Sequence, residues 1–284
     1  MRIDKIEKSK IREFGNPAAY YDNRLYKLFS EKKQDDMFYR MVYYGHKLKD
    51  SKKVILNNNY KRLLAKKIKY QQARVSRISE LINRSRKPSI WLDLGCGVGQ
   101  FVERIAKIEG NFVVGSDTSY ASLKKADYLL QKFSSTKNYF LVNQDKSGLP
   151  FKDNSFNYIL SADVLEHVGY KNQNKFLSEM YRVLKNDGKA IIHTPNLNRV
   201  IVTTLLKKVI YIFKGFNPHY ITHSFPKDHI SLINATRIKK ISKSVGFKLK
   251  IFKRSKENYR ESTILSFIKL KYFFPKSFTV VLSK

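Results

Sequence analysis

Cysteine is almost absent from this 284-residue chain, where Cys96 stands alone. An intramolecular disulfide is therefore excluded, as are the usual thiolate zinc clusters, and a reducing, cytoplasmic setting is the expectation. Long apolar runs are missing too. No stretch approaches the uninterrupted length that spans a bilayer. The N-terminal sequence MRIDKIEKSKIREFG interrupts its apolar positions with charge, which does not suit a secretory leader. Acidic residues are scarce, 23 Asp+Glu against 56 Lys+Arg, and the formal charge is +33. That balance suits phosphates, anionic lipid surfaces or acidic substrates as partners. The basic residues are nevertheless spread along the chain without a long Lys/Arg block, so a composition rich in Lys, Asn, Ile, Tyr and Phe accounts for the charge as well.

What is present changes texture at Arg86-Lys87-Pro88. Residues 1–87 are polar, basic and tyrosine-rich, and Leu64, Ile68, Val75, Ile78 and Ile82 fall near one face of a 3.6-residue period, which predicts a helical extension that caps something. From 88 to 284, short apolar runs alternate with helical stretches. Strands are expected over 90–94, 111–115, 139–142, 156–161, 189–194, 247–253 and 278–282. Helices are expected over 98–108, 119–132, 174–184 and 235–245, with Asn186-Asp187-Gly188 as a turn. Such alternation predicts an α/β, Rossmann-like fold: a seven-stranded, mostly parallel sheet with helices on both faces, plus the N-terminal helical extension.

Candidate chemistry gathers at predicted strand ends. The strand ending in Asp93 runs into Gly95-Cys96-Gly97-Val98-Gly99 and then a helix, so bare backbone N–H groups lie at a helix start beside the sheet's carboxyl edge. The spacing is GxGxG, not the GxGxxG of a pyrophosphate-binding loop, and taken alone it also fits a tight turn with no ligand. Asp117 follows the strand FVVGS, where a carboxylate can accept hydrogen bonds from both ribose hydroxyls. Asp117-Thr118-Ser119 is equally good helix-capping sequence, and the two roles are compatible. Asp145 and Lys146 follow FLVN, with Leu149-Pro150-Phe151 just beyond, so a carboxylate there can meet an adenine amino group between apolar neighbours.

The runs WLDLGCGVGQF, VVGSDTSYASLKKA, QDKSGLPFKDNSFNYILSADVLEHV and FLSEMYRVLKNDGKAIIHTPN resemble, in order and spacing, the class I S-adenosylmethionine-dependent methyltransferases of the type 11 group. The resemblance covers residues 89–196. It implies S-adenosylmethionine as cofactor, with Asp93, Gly95, Cys96, Gly97 and Gly99 around its methionine part, Asp117 and Thr118 at the ribose, and Asp145 and Lys146 at the adenine. It also implies that Ser161 and Ala162, with Asp163 and Val164, line the cofactor. Asn157 departs from the aspartate usual in the family. A looser similarity lies in Lys227-Asp228-His229-Ile230 followed by a helix and Gly246-Phe247.

Methyl transfer asks the protein to align a nucleophile, exclude water and take up a proton; it requires no metal, and no metal site is expected. Candidate bases are Glu166, His167 and His229, although the first two could equally cap or orient the segment after the fourth strand. The family's nucleobase-amine enzymes carry an Asn/Asp-Pro-Pro-aromatic loop where this chain reads SADVLEHV, which disfavours that class. Covalent pyrimidine-carbon methylation needs a thiolate in the acceptor pocket, and Cys96 is committed to the cofactor loop. The amphipathic, cationic span 199–214 reads either as a lid with its apolar side over the site or as a segment lying on an anionic membrane, and 268–274 poses the same choice. The leading expectation is methylation of an oxygen in a small or lipid-linked acceptor, such as a glycan or quinone precursor. RNA methylation, suggested by the charge, and a non-catalytic cofactor-binding partner subunit are the alternatives. Tyr20, Tyr21 and residues 60–83 are expected to cover the cofactor cleft.

Overall fold

The computed structural model describes residues 58–144, 148–213, 215, 217, 229–254, 275 and 277–284. Tyr20, Tyr21, Asp145, Lys146 and the 268–274 segment lie outside the described residues, as does most of the chain between Phe213 and His229. The elements in order are α1 (Asn58–Asn83), β1 (Ser89–Leu94), α2 (Gln100–Ala106), β2 (Asn111–Asp117), α3 (Tyr120–Phe133), β3 (Tyr139–Asn143), β4 (Phe156–Ala162), α4 (Gln173–Val183), β5 (Leu184–Pro195), α5 (Leu197–Phe213), α6 (Ala235–Val245), β6 (Lys248–Arg254) and β7 (Ser277–Ser283). Two short 3-10 turns, Leu165–His167 and Tyr170–Asn172, carry the chain from β4 to α4.

Among the described residues the strands form one seven-stranded sheet in the order β3-β2-β1-β4-β5-β7-β6. The pairs from β3 to β5 are parallel, and β7 runs antiparallel between β5 and β6. Strand periodicity explains the layering, because alternate side chains leave opposite faces. Trp91, Tyr158, Leu160, Ile191 and Val281 pack on one side with Val102, Ile105, Leu129 and Leu130 of α2 and α3. Leu92, Leu94, Ile159, Ala190, Ile192 and Val280 pack on the other with Leu177, Met180, Ile238 and Ile241 of α4 and α6. Each such aliphatic side chain contributes about 1.5–3 kcal/mol when fully buried. Trp91 stacks on Tyr158 at a centroid distance of 4.5 Å. Ile68, Val75, Ile78 and Ile82 of α1 belong to the first cluster, so the predicted apolar stripe of this helix is spent on the sheet's own core.

Some boundaries differ from the sequence expectation. The helix after the glycine loop is shorter than 98–108: Gly99 is left-handed at its start, and the Ile108 N–H turns back to the Ile105 carbonyl, which tightens the end. Asn186-Asp187-Gly188 makes no turn outside the sheet. β5 already pairs at Leu184 with Phe156 and resumes at Lys189 opposite Tyr158, so those residues occupy a bulge within the strand. The lid expectation for α5 is also corrected. Its buried residues are Arg199, Val200 and Thr204, whereas Ile201, Leu205, Val209, Ile212 and Phe213 face outward, Phe213 at 86% exposure. The rotation of the helix is set at its start, where the Leu197 N–H donates to the Ile233 carbonyl and the Asn196 side chain to that of Pro275. No helix among the described residues is long and apolar enough to cross a membrane.

Candidate active site

The strand order reverses between β1 and β4, and in an open α/β sheet that is where a crevice opens at the carboxyl edge. The glycine loop stands at this rim. The Gly95 and Cys96 N–H groups both donate to the Ser116 carbonyl, at 2.7 and 3.0 Å, locking the loop to the end of β2. Gly95 and Gly97 have φ of 77° and 53°, in the left-handed region. A Cβ on Gly95 would lie 2.3 Å from Val164 Cγ2, so the loop passes directly against the segment after β4. A Cβ on Gly97 would meet nothing within 4 Å. One glycine answers to close packing, and the other leaves bare backbone facing open space.

Two acids flank that loop. Asp117 accepts the Gly97 N–H on Oδ2 at 2.9 Å and the Ser119 N–H on Oδ1 at 2.8 Å. Each carboxylate oxygen retains a further acceptor position, so these bonds leave room for ribose hydroxyls. The cap of α3 is Ser119, which accepts from the Ser122 N–H, and not Asp117. Thr118 beside it is exposed. Asp93 is buried, and its Oδ2 has no hydrogen-bond partner. Burial, and then the charge of Asp117, push its pKa up to about 8 against the opposing pull of Arg74. An unsatisfied buried acid beside bare amides and open space fits a ligand that brings positive charge and hydroxyl donors.

The remaining sequence candidates separate by burial. Cys96 is buried with its Sγ against Gly115, on the protein side of the loop, and burial followed by the charge of Asp93 keeps it a thiol. Ser161 is fully buried with its Oγ lacking a partner, while Ala162 is half-buried at the end of β4. Asn157, the departure from the family pattern, accepts the Ile90 N–H at 3.0 Å and ties β4 to the start of β1, away from the rim.

A polar network that sequence reading missed joins α1 to the segment after β4. Arg74 forms an ion pair with Asp163 and donates to Gln100 Oε1 at 2.8 Å. Asp163 itself sits at a positive φ of 57° just beyond β4. His193 Nε2 lies 3.8 Å from Asp163 Oδ1, and His193 Nδ1 lies 2.8 Å from Thr279 Oγ1. Burial lowers the His193 pKa to about 4 despite Asp163, so the ring is neutral near pH 7. Burial alone would raise the Asp163 pKa, but Arg74 and then His193 outweigh it and hold it below the ordinary value. A signal for Arg74 existed: it occupies the same helical stripe as Ile78 and Ile82, where a charge is out of place unless paired.

The three candidate bases meet at one corner. Glu166 is fully buried and accepts from Thr194 Oγ1 on Oε2 at 3.0 Å; its Oε1 has no partner. Burial, and then the nearby charge of Asp163, raise its pKa well above the ordinary value. The half-buried rings of His167 and His229 meet edge to face at 4.9 Å. His229 is brought there by Ser231, whose N–H donates to the Glu166 carbonyl at 3.0 Å and whose hydroxyl donates to the Val168 carbonyl. Gln173 donates to both oxygens of Ser231, and Arg237 holds Gln173 while stacking on Tyr170.

The Methyltransferase domain family model matches residues 92–192, the span from β1 to β5. An uncharacterized protein of Methanocaldococcus jannaschii is 33% identical over 60% of this chain and 64% of its own length. A demethylmenaquinone methyltransferase of Lactobacillus johnsonii is 30% identical over 55% of this chain and 67% of its own length. The chain thus covers about two thirds of these relatives. The chain belongs to the class I S-adenosylmethionine-dependent methyltransferases of the type 11 group. In fold, this methyltransferase is similar to an S-adenosylmethionine-dependent methyltransferase from Aquifex aeolicus, with a TM-score of 0.50 at 15% identity, covering 73% of this chain and 87% of that one. The glycine loop, Asp93 and Asp117 are the described residues suited to hold the family's cofactor, S-adenosylmethionine.

Proposed function

We propose that this methyltransferase transfers a methyl group from S-adenosylmethionine to an oxygen of a small or lipid-linked acceptor, such as a glycan or quinone precursor. The observation that carries the reading is the pairing of a bare Gly97 backbone with Asp117, whose carboxylate is already oriented by the Gly97 and Ser119 N–H groups. The cofactor, when bound, supplies a methyl on a sulfonium, already activated. The chain's own residues do the rest. Gly95, Gly97 and Gly99 receive the methionine part, with Asp93 offering its unsatisfied oxygen to positive charge. Asp117 and Thr118 take the ribose, Ser161 and Ala162 line the floor, and Asp145 with Lys146 is proposed at the adenine. Activation of the acceptor hydroxyl falls to the corner of Glu166, His167 and His229. A capping role is assigned to α1, whose Arg74 pairs with Asp163 just beyond β4.

A lipid-linked acceptor is favoured by α5. Its outward stripe of Ile201, Leu205, Val209, Ile212 and Phe213 lies beside Lys207 and Lys208, which suits the surface of an anionic membrane. One of the relatives is named a demethylmenaquinone methyltransferase, which is consistent with a quinone precursor as acceptor. Two measurements test the reading. Calorimetry is expected to show saturable S-adenosylmethionine binding that weakens at least about tenfold in Asp117→Asn, from the loss of a hydrogen bond to a charged group. Cell extract incubated with the protein and methyl-labelled cofactor is expected to yield a labelled product in the lipid fraction; label confined to protein-free polar metabolites or to RNA redirects the acceptor assignment, and absence of cofactor binding sinks the whole reading.

A further inference from the structure

We propose that Glu166, His167 and His229 form a binding site for a divalent first-row transition-metal cation at the acceptor side of the crevice. The inference rests on the reading that the acceptor oxygen meets this corner, and it specifies how that oxygen is activated. Each of the three residues offers one ligand atom, and these atoms all lie within 4.8 Å of one another. Ligand atoms about 2.1 Å from a shared cation sit roughly 3–4 Å apart, so small rotations of the two imidazoles bring the set to bonding distance. A second observation points the same way. Glu166 Oε1 is buried with no hydrogen-bond partner, while Oε2 is held by Thr194, which fixes the carboxyl and leaves one oxygen available.

The site is built, not fortuitous. His167 comes from the turn after β4 and His229 from a segment distant in sequence, and the bonds of Ser231 to Glu166 and Val168, with Gln173 and Arg237 behind them, hold the two segments together. Two imidazoles and one carboxylate suit a transition ion better than magnesium or calcium, which prefer oxygen alone. Glu166 is fully buried, but both histidines are only half-buried, which leaves the corner accessible through the two imidazoles. A cation there acts as a Lewis acid on an acceptor hydroxyl. The O–H proton passes to water, an oxygen lone pair forms the new O–C bond, and the C–S bond breaks with its electron pair remaining on sulfur, so no oxidant or reductant is needed.

The test is titration of the full-length, metal-stripped protein with cobalt(II), followed by its visible absorption, and with zinc(II) by calorimetry. One equivalent of cobalt is expected to bind with a ligand-field spectrum and to be displaced by zinc. Glu166→Gln, His167→Ala and His229→Ala are each expected to weaken binding at least about tenfold. Because His219 and His223 lie nearby in sequence and are rival ligands, the double variant His219→Ala/His223→Ala serves as control and is expected to bind normally. Glu166→Gln preserves the side chain's shape and so keeps the test valid if a histidine variant fails to fold. Saturable binding that survives Glu166→Gln and both histidine substitutions, or no saturable binding to folded protein, overturns the proposal. S-adenosylmethionine calorimetry on the same variants separates the two readings: cofactor binding with no metal binding removes the metal site and leaves the methyltransferase assignment standing.

Discussion

Arg74 and Asp163, 89 residues apart in sequence, form an ion pair that joins the N-terminal helix to the segment leaving the fourth strand. Asp163 reaches this position through a left-handed backbone conformation that a non-glycine residue adopts only when its surroundings hold it there. The pair therefore ties α1 to the segment after β4, and its removal has a definite consequence. Arg74→Met keeps the aliphatic packing near Phe101 but leaves Asp163 without its cation. The expected loss is about 1.5–3 kcal/mol of unfolding free energy at pH 7, read from the midpoint in urea. An unchanged midpoint would show that the pair orients residues without stabilising the fold.

Gly95 is expected to tolerate no side chain. In Gly95→Ala the methyl group meets Val164 at 2.3 Å, and the backbone must hold a φ of 77°. The left-handed conformation alone costs about 1–3 kcal/mol, and the clash adds to it or displaces the loop. Calorimetry should show S-adenosylmethionine affinity reduced by at least about tenfold. The double variant Gly95→Ala/Val164→Ala removes the clash and keeps the backbone cost, so partial recovery is expected; no recovery at all would place the defect in the backbone alone.

Asp93 carries a pH dependence of known sign. Its pKa stands at about 8 in the folded protein against an ordinary value of 3.8. Between those values the folded state keeps a proton that the unfolded chain has released, so this residue makes stability fall as pH rises through that window, by up to about 1.4 kcal/mol per pH unit. Asp93→Asn mimics the protonated form and removes the dependence. The stability of the variant relative to the native protein should therefore increase steadily from acid to neutral pH. A cationic ligand favours the ionised acid, so S-adenosylmethionine binding at pH 7 should release a proton, visible as a binding heat that differs between phosphate and Tris buffers. Equal heats in both would remove Asp93 from the cofactor site.

The strand-end loop and acids at which the cofactor is proposed to sit were legible because they are local. A glycine loop at the end of one strand and an acid at the end of the next are set by short-range rules: left-handed turns need glycine, strand ends fall where apolar runs stop, and parallel strands bring those ends to a common edge. The sheet was legible for the same reason, since alternating apolar positions declare both of its faces. The bulge around Asn186-Asp187-Gly188 was not, because a turn-forming tripeptide carries no mark of the strand that will pair on either side of it.

What the amino-acid sequence determined by itself is the seven-stranded sheet and the acids and glycines at its carboxyl rim. Tertiary structure alone decided which distant groups meet there. Arg74 finds Asp163 only because α1 packs on the sheet, and α5 turns its apolar stripe outward only because Leu197 and Asn196 are tied at its start. His229 joins Glu166 and His167 because Ser231 bonds across to the turn after β4. Such pairings depend on the relative placement of whole elements, which is set by core packing and buried hydrogen bonds and leaves no periodic trace in the chain.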